Sequence, residues 1–391
     1  MKKIVVSNKV HYLGTNDRKK SLFENNWPLP NGVSYNSYLI ADQKCALIDT
    51  LEFGSKDDYL EEIENILEGR DLDYLVVNHM EPDHSSMIGW IIRKYPNVKI
   101  VANLKAFKML DAFYGIPEES IFEVKDGDEL NLGYHNLKFV LNPWVHWPET
   151  MMTYDTTDQV LFSCDAFGSF GTLDGGIFDD EINFSFYEDE MRRYYSNIVG
   201  KYSHMVQKAF AKLSGISIKM ICPSHGPVWR TNPSKALELY DKWSRHDSDK
   251  GVVIVFASMY GNTEKMADYV ARLIAEQGVK NIRVYDVSKT HVSFILNDIW
   301  KYKSVILGSS AYNAGMHPMM QHLCNELEVL NPKNKNYALF GSYSWSGGGL
   351  KSLVAFAEKM EWNQTAPPVE LIGSPSEPKM EGFARIAKTI I

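Results

Sequence analysis

The sequence predicts two consecutive α/β units, a sandwich of two sheets with helices outside it and then a doubly wound parallel sheet. Three observations predict this. The 391 residues exceed one ordinary domain, and 45% hydrophobic against 23% charged residues supplies enough apolar surface for more than one core. A polar stretch, HDSDKG, lies between the helix-like PSKALELYDKWSR and the apolar run VVIVFA, and marks a junction around Asp247 to Gly251. Strands and helices are mixed before that junction and alternate regularly after it. The expected domains are therefore residues 1–248 and 251–391.

In the first domain SYNSYLI, CALIDT, YLVVNH, VKIVAN, LKFVLN, TMMTYD, QVLFSCD and IKMICPS read as strands, being short, apolar and rich in β-branched or aromatic residues. KDDYLEEIENILEG and SSMIGWIIRKYP carry helical spacing. A longer helical region, EDEMRRYYSNIVGKYSHMVQKAFAKLSG, has a candidate break at Gly200. In the second domain VVIVFAS, NIRVYDVS, SVILGSS, NYALFGSYS and PPVELIG read as strands. Helices follow them: TEKMADYVARLIAEQG, roughly Ser293 to Trp300, MMQHLCNELEVL, GLKSLVAFAEKM and a final C-terminal helix. Five such units favour a parallel sheet covered on both faces.

Composition excludes several classes. A net charge of −8 argues against a general nucleic-acid binder. No run has the length and apolarity of a membrane span, and MKKIVVSNKV lacks the apolar core of a signal peptide. The cysteines Cys45, Cys164, Cys222 and Cys324 are scattered without a CxxC pair. That speaks against a disulfide framework, a structural zinc site or a fused rubredoxin-type centre, and for a cytoplasmic protein.

The first chemical signal is VVNHMEPDHSS. His79, Glu81, Asp83 and His84 crowd into six positions just past a predicted strand. His146, Asp165 and His225 sit at or after the ends of three further predicted strands. A single histidine at a strand end is more often hydrogen-bonded than metal-bound; seven donors from four strand ends are not explained that way. Three carboxylates and a bridging hydroxide would balance two divalent ions, as a partly buried site needs. Zinc favours histidine-rich tetrahedral sets. A glutamate in place of a histidine shifts the preference toward iron or manganese with open positions.

This segment resembles the metallo-β-lactamase superfamily in its flavodiiron variant. The resemblance implies a non-haem di-iron centre with His79, Glu81 and His146 on one iron. It implies Asp83, His84 and His225 on the other, with Asp165 and an oxygen species bridging. His84 is the member that turns away from the metal in some relatives. The family pattern also places Tyr195, in MRRYYSN, near the open metal positions as a proton or hydrogen-bond donor.

The second signal is VVIVFASMYGNTEKMADYV, a strand, a small polar loop and a helix. Ser258, Met259, Tyr260, Gly261, Asn262 and Thr263 offer hydroxyls and backbone N–H groups at a helix N-terminus, which suits a phosphate monoester. Neither a Walker lysine nor a GxGxxG is present. Two more strand-end loops line the same crevice. One holds Ser310, Ala311, Tyr312, Asn313, Ala314 and Gly315; the other holds Ser342, Tyr343, Ser344, Trp345, Ser346, Gly347 and Gly348. Tyr312 and Trp345 are candidates to pack on a flavin ring. This stretch resembles flavodoxin and implies FMN.

Together the fold class is an αββα metallo-β-lactamase-like sandwich followed by a flavodoxin-like domain, the architecture of two-domain flavodiiron proteins. The resemblance implies reduction of O2 to water, of NO to N2O, or both, with electrons relayed from FMN to the irons. It also implies an external donor such as rubredoxin or a reductase, and a head-to-tail homodimer or dimer of dimers. Two alternatives stand beside it. One is a metallo-hydrolase with an accessory flavodoxin domain, which bound zinc without flavin would favour. The other is an electron-transfer module with a vestigial metal site, which flavin without metal would favour.

Overall fold

The computed structural model describes residues 3–52, 54, 56–376 and 379–391. The chain divides into two compact units, residues 1–195 with 202–241 and residues 196–201 with 242–391.

The first unit is built on two large sheets, beside a two-stranded one formed by Leu22–Phe23 and Trp27–Pro28. The seven-stranded sheet runs Ile4–Ser7, Val10–Asp17, Val33–Ala41, Cys45–Ile48, Tyr74–Val76, Lys99–Ala102 and Ile121–Glu123. Its early pairings are antiparallel; from Cys45–Ile48 onward they are parallel. The five-stranded sheet runs Glu129–Asn131, Asn136–Leu141, Met151–Asp155, Val160–Cys164 and Met220–Pro223. Alternation along the strands sends Tyr38, Ile40, Ala46, Ile48 and Val76 toward Phe139, Met151, Val160 and Phe162, forming one core between the sheets. The intervening Leu39, Leu47 and Leu75 are buried as well. On that outer face the helix Lys56–Leu67 docks, and its Tyr59 hydroxyl shares a 2.9 Å hydrogen bond with Ser37 Oγ. Strands buried on both faces explain why CALI and YLV read as continuous apolar runs.

Some elements were not expected from the sequence. Among them are the strands Ile4–Ser7 and Val10–Asp17; the first lies at the sheet edge, where exposed Ile4 and Val5 blur the alternation. The helix Leu104–Tyr114 leaves Leu104 and Phe113 exposed, which weakens its periodic signal. Local chemistry defines that helix instead. Asn103 accepts from the Lys105 and Ala106 N–H groups, and Gly115 ends it at φ 59°. The long helical region is broken as expected. The helix Phe184–Tyr194 passes into a π turn at Tyr195–Val199 and a 3-10 turn at Gly200–Tyr202 before Ser203–Leu213.

The second unit is a parallel sheet in the order Ile282–Asp286, Asp249–Ala257, Tyr302–Tyr312, Asn336–Tyr343 and Val369–Ile372. The strand order reverses around Asp249–Ala257, which puts a crevice beyond the carboxyl ends of it and Tyr302–Tyr312. One face packs Val252, Ile254, Ile306 and Phe340 against Met266, Val270, Phe383 and Ile386 from two helices.

Candidate metal centre and phosphate cradle

The strand Tyr74–Val76 ends in a turn that sequence chemistry dictates. Pro82 opens the short helix Pro82–Ser85 and holds the preceding Glu81 extended, at φ −59° and ψ 140°. Ser85 Oγ donates to Met80 O at 2.8 Å, and the Thr50 N–H donates to His84 O at 2.9 Å. These bonds fix the turn that carries His79, Glu81, Asp83 and His84. Asp165 directly follows Val160–Cys164, and His225 follows Met220–Pro223. His146 lies in the loop between Asn136–Leu141 and Met151–Asp155.

All seven predicted ligands meet, and all are buried. They form two groups, His79 with Glu81, His146 and Asp165, and Asp83 with His84 and His225. Asp165 Oδ2 lies 3.3 Å from His79 Nε2 and 3.4 Å from His146 Nε2. Its Oδ1 lies 2.9 Å from His84 Nε2 and 3.4 Å from His225 Nε2. One carboxylate thus faces each group with a different oxygen. Glu81 Oε2 sits 2.9 Å from His146 Nε2, and Asp83 Oδ2 sits 3.3 Å from His225 Nε2. His84 is turned into the cluster.

Both oxygens of Asp83 and of Asp165, and the Nε2 atoms of His84, His146 and His225, are buried without a hydrogen bond. Buried polar atoms without hydrogen bonds are a cost that a bound cation would offset. The donor set fits two such ions. The electrostatics agree. Burial opposes charge on His79, but Asp165, Glu149 and Glu81 outweigh it and raise the imidazole to about 9. Burial likewise opposes charge on His84, yet Asp83 and Asp165 raise it to about 10. Burial pushes the Glu81 carboxyl up, and the His146 and His79 imidazoles hold it well below the usual carboxylate range. Acidic and basic groups here are organised to exchange protons for metal charge.

Tyr195 departs from the expected placement. Its hydroxyl shares a 2.9 Å hydrogen bond with Ser203 Oγ, and its ring packs on Tyr240 at 4.9 Å. The neighbouring Tyr194 takes the position beside the cluster, with its ring 5.5 Å from that of His225. Its hydroxyl is buried without a hydrogen bond. Burial, then the negative charges of Asp165, Asp83 and Glu81, push the phenol well above its ordinary pKa.

Sequence reading also missed two carboxylates. Glu149 accepts from His79 Nδ1 at 2.8 Å. Glu24 lies beside Glu81; burial and the Glu81 charge raise it to about 7, against the pull of His146 and Trp27. His79 is 70 residues from Glu149, and no local pattern signals a pairing at that separation.

In the second unit the loop after Asp249–Ala257 leads into the helix Asn262–Glu276. A small cleft opens there, lined by Ser258, Met259, Tyr260, Asn262, Thr263, Ser310, Ala311, Ser342, Tyr343, Ser344 and Gly373. Ser258 Oγ accepts from the Gly261 N–H at 3.0 Å, and Thr263 Oγ1 shares a 2.8 Å bond with Ser342 Oγ. Ser310 Oγ is buried without a partner. A hydroxyl-lined cleft at a helix N-terminus fits a phosphate ester.

Asn313 and Ala314, at φ 48° and 59°, form a tight hairpin turn that pairs Tyr312 with Gly315. Gly348, at φ 133°, approaches so closely that an added Cβ would lie 2.1 Å from Ala314 O. That contact joins the second and third loops. Tyr260, Tyr312 and Trp345 are 91%, 44% and 82% exposed, three aromatic faces beside a polar cleft. Gly261, Tyr312, Asn313, Ala314, Gly315, Trp345, Ser346, Gly347 and Gly348 belong to these loops but do not line the cleft; Gly373 lines it without having been expected.

Comparison with known proteins agrees with this geometry. Residues 33–226 match the ODP family beta lactamase, and residues 254–363 match flavodoxin. An anaerobic nitric oxide reductase flavorubredoxin of Escherichia coli O1:K1 is 35% identical over 90% of this chain and 74% of its own length. The structure of rubredoxin oxygen:oxidoreductase from Desulfovibrio gigas superposes with a TM-score of 0.95 at 29% identity, covering 100% of this chain and 98% of that one. The flavodiiron protein of Giardia intestinalis gives 0.93 at 26% identity, covering 100% and 96%. Nothing in these likenesses favours the metallo-hydrolase alternative. With its sandwich, its parallel-sheet unit and this kinship, the chain belongs to the flavodiiron protein family.

Proposed function

We propose that the chain is an oxidoreductase that reduces O2 to water, NO to N2O, or both, at a di-iron site supplied with electrons through FMN. The observation that carries this reading is the division of Asp165. Its two oxygens face two separate sets of imidazole and carboxylate donors, and most of the inward-facing atoms lack hydrogen bonds. The names of the relatives support both gases, one being a nitric oxide reductase and another an oxygen oxidoreductase.

Iron at such a site supplies open, redox-active positions for a small gas, and FMN supplies electrons singly. In this reading His79, Glu81 and His146 would hold one iron and Asp83, His84 and His225 the other, with one oxygen of Asp165 available to each. Glu81, Asp83 and Asp165 bring three negative charges against four positive ones. Tyr194 keeps its proton at neutral pH and stands beside His225, which suits it to donate a hydrogen bond or proton toward bound gas. In the second unit Ser258, Asn262, Thr263 and the backbone of Met259 and Tyr260 would hold the phosphate. Tyr312 and Trp345 would pack on the flavin ring.

In this reading the electron donor is a separate protein such as rubredoxin or a reductase, which the names of the relatives support. Among the described residues no helix is long and apolar enough to cross a membrane. We place the protein in the cytoplasm, as a head-to-tail homodimer or a dimer of such dimers, with one chain's FMN facing its partner's irons. The test supplies iron-loaded, FMN-replete protein with reduced rubredoxin and follows O2 and NO in parallel. We expect consumption of at least one gas, with water or N2O as product. Loss of neither gas would overturn the reading, and an active monomer on size exclusion would overturn the dimer.

A further inference from the structure

We infer that Glu149 is a positioning residue for the metal centre: it fixes the tautomer of His79 and, through its charge, strengthens that imidazole as an iron donor. The inference rests on the reading of the seven clustered residues as an iron site.

The geometry begins with the His79 ring. Its Nε2 faces Glu81 and Asp165, at 3.2 Å and 3.3 Å. Its Nδ1 points the other way and meets Glu149 Oε1 at 2.8 Å. An acceptor-only carboxylate at Nδ1 places the ring proton there and leaves the Nε2 lone pair facing the centre. Glu149 is itself held. Its Oε1 accepts from the Met80 N–H at 3.0 Å, and its backbone O accepts from Asn103 Nδ2 at 2.6 Å. The His79 ring is also fixed edge-on by Trp147, at 5.1 Å between centroids.

The energetics say that Glu149 is not there for stability. Both side chains of the pair are 0% exposed, and Glu149 Oε2 is buried without any hydrogen bond. A buried carboxylate with one unsatisfied oxygen costs more than an apolar side chain of similar volume. The charge is retained because it acts on His79. A negative charge at Nδ1 makes the ring a stronger donor and favours the more highly charged metal ion.

His225 is backed differently. His225 Nδ1 donates to a neutral acceptor, Ser34 O, at 2.8 Å. Asp49, the buried carboxylate whose field reaches His84 and His79, spends its oxygens on the Asn78 N–H at 2.7 Å and on Asn78 Nδ2 at 3.0 Å. Each group of donors carries two imidazoles, one terminal carboxylate and one oxygen of Asp165. The directly bonded carboxylate behind His79 is therefore a difference between the two halves of the centre. Glu149 acts on the half formed by His79, Glu81 and His146.

Two variants separate the two roles. Glu149→Gln keeps an acceptor for Nδ1 and removes the charge; Glu149→Ala removes both. Full-length protein is loaded with iron and FMN, and FMN content serves as the internal control for folding. Iron per chain is measured after dialysis against graded chelator. The ferric-to-ferrous equilibrium is measured by redox titration followed by electron paramagnetic resonance.

We expect Glu149→Ala to weaken iron binding roughly ten- to a hundredfold, with one iron lost before the other. We expect Glu149→Gln to keep both irons and to move one iron's equilibrium roughly tenfold toward ferrous, about 59 mV for one electron. An unchanged potential in Glu149→Gln overturns the charge role, even if the alanine variant fails to fold. Unchanged iron affinity in a folded Glu149→Ala overturns the positioning role. Wild-type protein that takes up no iron would instead overturn the di-iron reading itself.

Discussion

A phenol hydroxyl buried without a partner costs roughly 1–3 kcal/mol, and Tyr194 carries that cost beside His225. Tyr195 differs, because its hydroxyl is bonded to Ser203. The two residues therefore separate function from structure. Tyr194→Phe should leave stability unchanged or slightly raised and lower gas reduction by roughly a hundredfold, the usual cost of one donor at a reacting centre. Tyr195→Phe should cost about 1 kcal/mol of stability and leave turnover near that of the unaltered protein. Steady-state gas consumption at matched iron and FMN content, with urea unfolding of both variants, checks the pair. Equal losses of turnover would remove the assignment to Tyr194. The family pattern in MRRYYSN pointed to Tyr195, whereas the structure places the ring of Tyr194 beside His225. Adjacent helix residues point about 100° apart, and helix phase here depends on a π turn that starts at Tyr195. Such a turn follows from packing and leaves no mark in composition. His79, Glu81, Asp83, His84, His146, Asp165 and His225 were legible for the opposite reason. Each lies at or shortly after a strand end, and strand ends are readable.

At the scale of elements, the flavin cradle depends on how closely strands Tyr302–Tyr312 and Asn336–Tyr343 pack. Gly308 pairs with Phe340 across them, and the Phe340 ring lies over the glycine; an added Cβ would sit 2.1 Å from Phe340 Cζ. The ring is fully buried and packs edge-on against Phe383 at 5.7 Å, so it cannot simply swing away. Gly308→Ala should cost about 1–3 kcal/mol through overpacking. Ser309 and Ser310 follow directly, so the same change should weaken FMN retention while iron content stays constant. Flavin release during dilution, measured beside iron analysis, checks this; unchanged flavin affinity would mean that the loop is insulated from its strand. The regular alternation of VVIVFAS, SVILGSS and NYALFGSYS made these strands legible. Their close approach was not, because a glycine in a strand reads equally as a bulge, a bend or a place for a neighbouring ring. Edge elements were the least legible. Ile4–Ser7 and Leu104–Tyr114 expose apolar residues that a periodic reading expects to be inside.

At the scale of the whole molecule, each unit closes its own hydrophobic core, and each core lies under its own candidate site. The division into two α/β architectures was readable from one polar stretch and a change in alternation. The assignment of residues 196–201 to the second unit was not, since it depends on contacts distant in sequence. Asn197 Nδ2 donates to Ser293 O at 3.3 Å, and Gly200 lies so close to Trp300 that an added Cβ would meet its ring at 2.8 Å. Separate cores imply separate linkage. A ligand that binds only the native state stabilises it by RT ln(1 + [L]/Kd), about 2.7 kcal/mol at a hundredfold excess over Kd. That stabilisation belongs to the elements which hold the ligand. Removing metal leaves Glu81, Asp83 and Asp165 paired only with protonated imidazoles and should raise hydrogen exchange over residues 74–86, 160–166 and 220–226. Removing FMN should raise it over residues 257–263, 308–316 and 341–348. Peptide-resolved exchange on protein stripped of one cofactor at a time measures both. If stripping either cofactor loosened both sets of peptides equally, the two linkages would not be separate.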